Sequence, residues 1–98
     1  MEELDRKSYA KLFADKLRIL RASVGLSQTE IADAIGVTRQ CYYMYESQTK
    51  ELTWSKCLTL LYFYGTWKES RDLMEMFGLP EQANALLMQV RKEPKGKD

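Results

Sequence analysis

The chain is interrupted so often that no long element fits between its stop signals. Gly25, Gly36, Gly65 and Gly78 each close a stretch with helical apolar spacing; Ser27 and Thr38 stand just beyond the first two as N-caps, and Thr53 caps a further helix. Ser27 is followed three residues on by Glu30, which completes a capping box. Such punctuation predicts a succession of short helices. On the inner face of the first, over 9–24, lie Tyr9, Leu12, Phe13, Leu17, Leu20 and Val24. Ile31, Ala32 and Ile35 mark the second, and Tyr42 and Tyr45 the third. After a polar, loop-like stretch from Ser47 to Leu52, a fourth helix presents Trp54, Cys57, Leu58, Leu61 and Tyr64. A fifth runs from Glu69 to Phe77 with Leu73, Met74 and Phe77 on one side. Pro80 suits the first position of a last helix striped by Ala83, Leu86, Leu87 and Val90. Strand-like composition at Leu60–Tyr64 is outweighed by the capped helical pattern around it.

The expected fold is therefore all-α: a compact bundle of about five helices with a central helix-turn-helix, plus a C-terminal helix. With 98 residues there is room for one domain, placed at 8–78. A C-terminal helix over 79–92 is a candidate for dimerisation, and 93–98 reads as a flexible tail. The 45% apolar content supports a core without metal or disulfides. Cys41 and Cys57 have no C-x-x-C spacing, and there is no His. That composition argues against a metal site and against most acid–base catalysis, and no nucleophile–base pair or Gly-rich phosphate loop is present. No enzyme activity, cofactor or metal is expected. Cys57 reads as core, and Cys41 has no neighbour that would activate its thiol. A charged N-terminus and an apolar run no longer than Leu60–Tyr64 predict a soluble cytoplasmic protein with no membrane contact.

Net charge is only +1, with 15 Lys and Arg against 14 Asp and Glu, so bulk charge predicts no polyanion partner. The segment 26–52 is itself acidic, with two basic and four acidic residues.

The segment from Gln28 to Tyr45 is more informative than the charge. Counted from Gln28, apolar residues fall at positions 4, 8, 10, 15 and 18 (Ile31, Ile35, Val37, Tyr42, Tyr45), with Ala32 at 5 and Gly36 at 9. Two helices that cross steeply need a small side chain at closest approach and a turn residue tolerant of positive φ. Together with Leu17-Arg18-x-Leu20-Arg21, Gly25-Leu26-Ser27-Gln28-x-Glu30-Ile31-Ala32, Gly36-Val37-Thr38-Arg39 and Tyr45-Glu46, this pattern resembles the Cro/CI-type (xenobiotic-response-element) helix-turn-helix DNA-binding proteins. The resemblance covers roughly half of the chain.

The resemblance implies double-stranded DNA as a partner, with a nucleoid-associated location. It places Arg39, Gln40, Tyr43 and Met44 at base edges. Their chemistry suits that role: Arg pairs with guanine, Gln with adenine, and Tyr or Met touches a thymine methyl. Ser27, Gln28, Thr29, Thr38, Thr49 and Lys50 would hold phosphates, and Arg21 and Glu46 would form a structural pair. Five positions depart from the family pattern, two of them, Leu61 and Tyr64, by replacing smaller or aliphatic residues in the fourth helix. Tyr42 replaces Ile or Val, so either the core expands or the hydroxyl reaches the surface. Gln48 replaces Gly at a left-handed cap, at a strain of about 1 kcal/mol. Leu52 stands where Pro is common. Relatives dimerise beside or beyond the fourth helix, which puts Tyr62, Phe63, Trp67, Leu86, Leu87 and Val90 at a homodimer interface. The expected function is a transcriptional regulator, a repressor binding an inverted-repeat operator. The alternative is an antitoxin-type DNA-binding module whose C-terminal helices hold a protein partner.

Overall fold

Each hydroxyl marked as an N-cap is used as one. In the computed structural model, which describes residues 5–90, the helices are α1 (Arg6–Val24), α2 (Gln28–Ile35), α3 (Arg39–Ser47), α4 (Trp54–Gly65), α5 (Lys68–Phe77) and α6 (Leu79–Val90). No strand occurs among the described residues. Ser27 Oγ accepts from the Glu30 N–H at 3.1 Å, while the Glu30 carboxylate accepts from the Ser27 N–H at 2.9 Å. Thr38 and Thr53 accept from the N–H groups of Cys41 and Lys56 at 3.0 and 3.2 Å. Asp5 does the same for Ser8 at 2.7 Å and opens α1, a cap the apolar periodicity does not reveal. Gly25, Gly36 and Gly78 close their helices with left-handed backbone. Gly65 does not: it lies within the last turn of α4, and Thr66 forms the C-cap with right-handed backbone.

Helix α1 is the spine of the core. Its Tyr9, Ala10, Phe13, Ala14, Leu17 and Leu20 are buried, and α3, α4, α5 and α6 all pack on it. Against them lie Ile31, Ala32 and Ile35 of α2, Tyr42 and Tyr45 of α3, and Met74 of α5. The inner face of α4 differs from expectation. Cys57, Leu60 and Tyr64 are buried, whereas Trp54, Leu58 and Leu61 are half-buried. Helix α4 packs against α1, α2, α5 and α6 at once, which widens its covered arc and moves the arc's centre. Trp54 sits at the edge, meeting Tyr9 edge-on at 5.8 Å under the Arg6 guanidinium. Leu52, in the stretch that reads as polar loop, is a core residue.

Helix α6 belongs to the same core. Leu79, Ala83 and Leu86 are fully buried, and the Tyr9 hydroxyl donates to the Leu79 carbonyl at 2.8 Å. The helix starts at Leu79, so Pro80 occupies its second position instead of its first. Leu86, expected at a subunit contact, is enclosed by its own chain, while Leu87 keeps 38% of its surface exposed. The Val90 side chain and residues 91–98, including the expected tail, lie outside the described residues. Leu86→Ala should therefore lower unfolding free energy by about 2–5 kcal/mol, against less than about 1 kcal/mol for Leu87→Ala. Urea unfolding at several protein concentrations checks this. A concentration-dependent loss for Leu86→Ala would instead place that side chain at a subunit interface.

Candidate nucleic-acid interface

The crossing of α2 and α3 follows from two small residues. Ala32 is fully buried at the α2 side of the contact, and Gly36 turns the chain with φ of 80°. The turn from Gly36 to Thr38 is closed by hydrogen bonds from the Gly36 N–H to the Asp33 carbonyl and the Val37 N–H to the Ala32 carbonyl. A β-carbon at Gly36 would meet no neighbour within 4 Å, so backbone conformation and not space selects glycine there.

The far end of α3 is held by one carboxylate. The Arg21 guanidinium grips Glu46 with a fork, Nε to Oε2 at 2.6 Å and Nη2 to Oε1 at 3.2 Å. The remaining arm of Arg21 donates to the Leu26 carbonyl at 3.1 Å, and the Gln28 side-chain amide donates to Glu46 Oε1 at 3.0 Å. Glu46, with 1% of its side chain exposed, thus ties α1, the turn before α2, and α2 itself to α3. Burial alone would raise the Glu46 carboxyl, but the hydrogen bonds from Arg21 and Gln28, the nearby Tyr42 hydroxyl and the Arg21 charge outweigh it and hold it below its usual 4.5. The same pair holds the Arg21 guanidinium charged.

Tyr42 lies beneath this clamp. Its hydroxyl does not reach the surface; it faces Glu46 and the Tyr64 hydroxyl of α4. Neither phenol makes a well-formed hydrogen bond among the described residues. Burial pushes both phenols far above their usual 10, so they stay neutral.

Gln48 ends α3 with φ of 63°, the only positive φ outside glycine among the described residues. Its side-chain amide donates to Asp15 Oδ1 at 2.6 Å, which pins the strained cap to α1. The Thr49 and Lys50 N–H groups then both return to the Met44 carbonyl, and the Ser47 and Thr49 hydroxyls lie 3.0 Å apart.

On the outer side of α3, Arg39, Gln40 and Tyr43 are exposed and Met44 is half-buried. Ser27, Thr29, Thr38, Thr49 and Lys50 are exposed along the loops and helix starts around it. Gln28 is placed differently from a free phosphate ligand: its amide group is committed to Glu46, which leaves its backbone N–H. Because Ser27 satisfies only the Glu30 N–H, the Gln28 and Thr29 N–H groups open α2 without helical partners. Of the residues expected at a subunit contact, Tyr62 is 79% exposed, Trp67 is 39% exposed and Phe63 is half-buried, its ring 6.2 Å from that of Trp67. Arg18, which sequence reasoning assigned no role, brings its Nε within 3.9 Å of Glu46 Oε1. Its spacing of three residues from Arg21 carries that signal, since it puts both guanidinium groups on one side of α1.

Residues 17–61 match the family described as helix-turn-helix. This segment is a helix-turn-helix domain of the Cro/CI type. The chain is thereby a DNA-binding transcriptional regulator. Comparison with curated proteins and with solved structures returns no significant match. The helix-turn-helix match opens in the second half of α1 and closes within α4, so α5 and α6 lie beyond it. Among the described residues no three His, Cys, Asp or Glu side chains are grouped to hold a metal, and no helix is long and apolar enough to cross a membrane.

Glu46→Ala should cost about 3–5 kcal/mol, because it strands the Arg21 charge in a mostly buried position. The lowered Glu46 carboxyl also gives a pH dependence of known sign. Its contribution is complete above the unfolded value near 4.5 and drains away as pH falls through the lower folded value. Urea unfolding between pH 7 and pH 3 should show this extra loss in the wild type and not in Glu46→Gln.

Proposed function

We propose that the protein is a repressor that binds an inverted-repeat operator as a homodimer. The division of α3 into two faces carries this reading. Tyr42, Tyr45 and Glu46 bind the helix to its own domain, while Arg39, Gln40 and Tyr43 face solvent with nothing in the fold that needs them there. Gln40, Tyr43 and Met44 follow the i, i+3, i+4 spacing of one helical stripe, and Arg39 stands in the first turn beside it. A helix with that stripe in the major groove offers a bidentate donor for guanine, an amide for adenine and apolar contact for thymine.

The helix-turn-helix also provides for the backbone on either side of such a groove. The partnerless N–H groups of Gln28 and Thr29 suit a phosphate oxygen, with the Ser27 hydroxyl and the α2 dipole in support. Thr38, Thr49 and Lys50 supply hydroxyls and one ammonium group on the loops. Two copies set about 34 Å apart would read successive turns of one DNA face. The exposed Tyr62, Trp67 and Leu87 offer apolar area for that pairing. Occupying a promoter in this way blocks polymerase without any chemical step.

Selection from random duplexes at moderate salt should return an enriched palindromic site, and return of no motif would overturn the reading. With the site known, Gln40→Ala should relax preference at one base pair by about 1–3 kcal/mol, whereas Lys50→Ala should weaken all sequences alike. Sedimentation equilibrium at high micromolar concentration should report a dimer. A monomer there removes the subunit pairing while leaving the DNA contact standing.

A further inference from the structure

The helix-turn-helix is short of cations. Between residues 26 and 52 only Arg39 and Lys50 are basic, against Glu30, Asp33, Glu46 and Glu51. A duplex still presents a row of phosphates on each side of the groove, so neutralising charge has to come from another element. Helix α1 lies against this segment. Its Lys7 and Lys11 share a groove with Gln48 and Lys50, and Arg18 lines the adjoining groove with Asp15, Glu46 and Gln48. Lys7 is partly engaged, 4.0 Å from Glu51.

Arg18 comes equally near a carboxylate, its Nε 3.9 Å from Glu46 Oε1, but does not have that carboxylate to itself. The carboxylate it approaches is already filled by the Arg21 fork and the Gln28 amide. Two guanidinium groups therefore face the Glu46 carboxylate, and the other carboxylate lining that groove, Asp15, accepts from the Gln48 amide and makes no contact with Arg18. The Arg18 side chain is 74% exposed and donates no hydrogen bond among the described residues. Gln28, which shares Glu46 Oε1 with it, is the first residue of α2, so the Arg18 guanidinium stands beside the partnerless N–H groups there. Guanidinium is also the side chain best shaped to take two oxygens of a phosphodiester at once. We infer that Arg18 is a phosphate ligand in the DNA complex, supplying from α1 a backbone contact that the helix-turn-helix cannot provide for itself. The assignment rests on the DNA-binding reading above.

The test is a titration of the selected duplex, followed by fluorescence anisotropy from 50 to 200 mM salt. Arg18→Gln should lower the slope of log affinity against log salt by about 0.9 for each subunit bound, one phosphate contact's worth. Across that fourfold salt range its affinity should fall about 3.5-fold less per subunit than the wild type's. Base preference should be unchanged, and Arg18→Lys should restore most of the slope. Lys16→Gln is the control, since Lys16 carries the same charge on another side of α1, over the Phe77 ring of α5 at 4.5 Å. Its slope should match the wild type. An unchanged slope in Arg18→Gln, or equal falls in both variants, overturns the assignment. So does an altered base preference, which would mean that Arg18 acts through Glu46 on the pose of α3. Failure of the wild type to select any duplex overturns the DNA reading itself, and shows in the wild type alone.

Discussion

Glu46 is an anion with almost no contact with water, placed where α1, α2 and α3 meet, and the pose of α3 depends on how that anion is satisfied. A lone carboxylate in such a position would be expensive, and the cost is met by a two-armed guanidinium and one side-chain amide. Each partner comes from a different element, so α3 cannot rotate or slide without giving up a charged hydrogen bond. Apolar contacts alone fix a helix of nine residues less sharply, because burial is non-directional whereas a charged hydrogen bond has a required distance and angle. The clamp therefore contributes direction more than net stability. It also explains why the Gln28 side-chain amide is committed within the fold while its backbone N–H is left without a helical partner.

Most of the fold is legible because its signals are local. A hydroxyl before a helix, a glycine after it and a glutamate three residues on act within one turn, and Ser27, Thr38, Thr53, Gly25 and Gly36 all behave as that chemistry demands. What escaped depends on neighbours remote in sequence. Leu60 is buried and Leu58 half-exposed because four helices close on α4 from different directions, which no single-helix periodicity encodes. Leu52 reads as loop because its flanks are polar, yet it fills the core beneath them. Leu86 and Leu87 are adjacent and chemically alike, and only the seating of α6 decides which is enclosed. On the site, the exposed face of α3 follows directly from the positions of Tyr42 and Tyr45. The Arg18 approach to Glu46 needs the fold to bring residues 18 and 46 together.

Tyr42 and Gln48, two of the departures from the family pattern, meet at this clamp from opposite sides. Tyr42 brings a phenol where an aliphatic side chain is usual, and its hydroxyl ends up buried beside Glu46 and Tyr64 without a well-formed partner. An unmet hydroxyl of that kind costs on the order of 1–3 kcal/mol, unless Glu46 draws it into the carboxylate's own hydrogen-bond shell. Gln48 costs about 1 kcal/mol in backbone strain and recovers part of it through its bond to Asp15. Both residues therefore exchange stability for definition around the end of α3, one under the anion and one in the loop that carries Thr49 and Lys50.

The near-balance of charge over the chain hides an uneven distribution, and its geometry matters more than its sum. The helix-turn-helix segment 26–52 is acidic by two, while residues 1–25 are basic by the same amount. An acidic segment gives a duplex no long-range attraction of its own, so the cations that meet phosphates have to stand elsewhere in the fold. If Arg18 takes a phosphate, its contact is available only when α1 comes down onto the backbone, and α1 is locked to α3 through Arg21 and Glu46. Seating α3 on the right bases and bringing Arg18 to its phosphate are then the same rigid-body motion. Charge placed on α1 would reward a correctly docked helix far more than a chance encounter, and with only Arg39 and Lys50 basic between residues 26 and 52 that coupling would favour the selected site over the surrounding sequence.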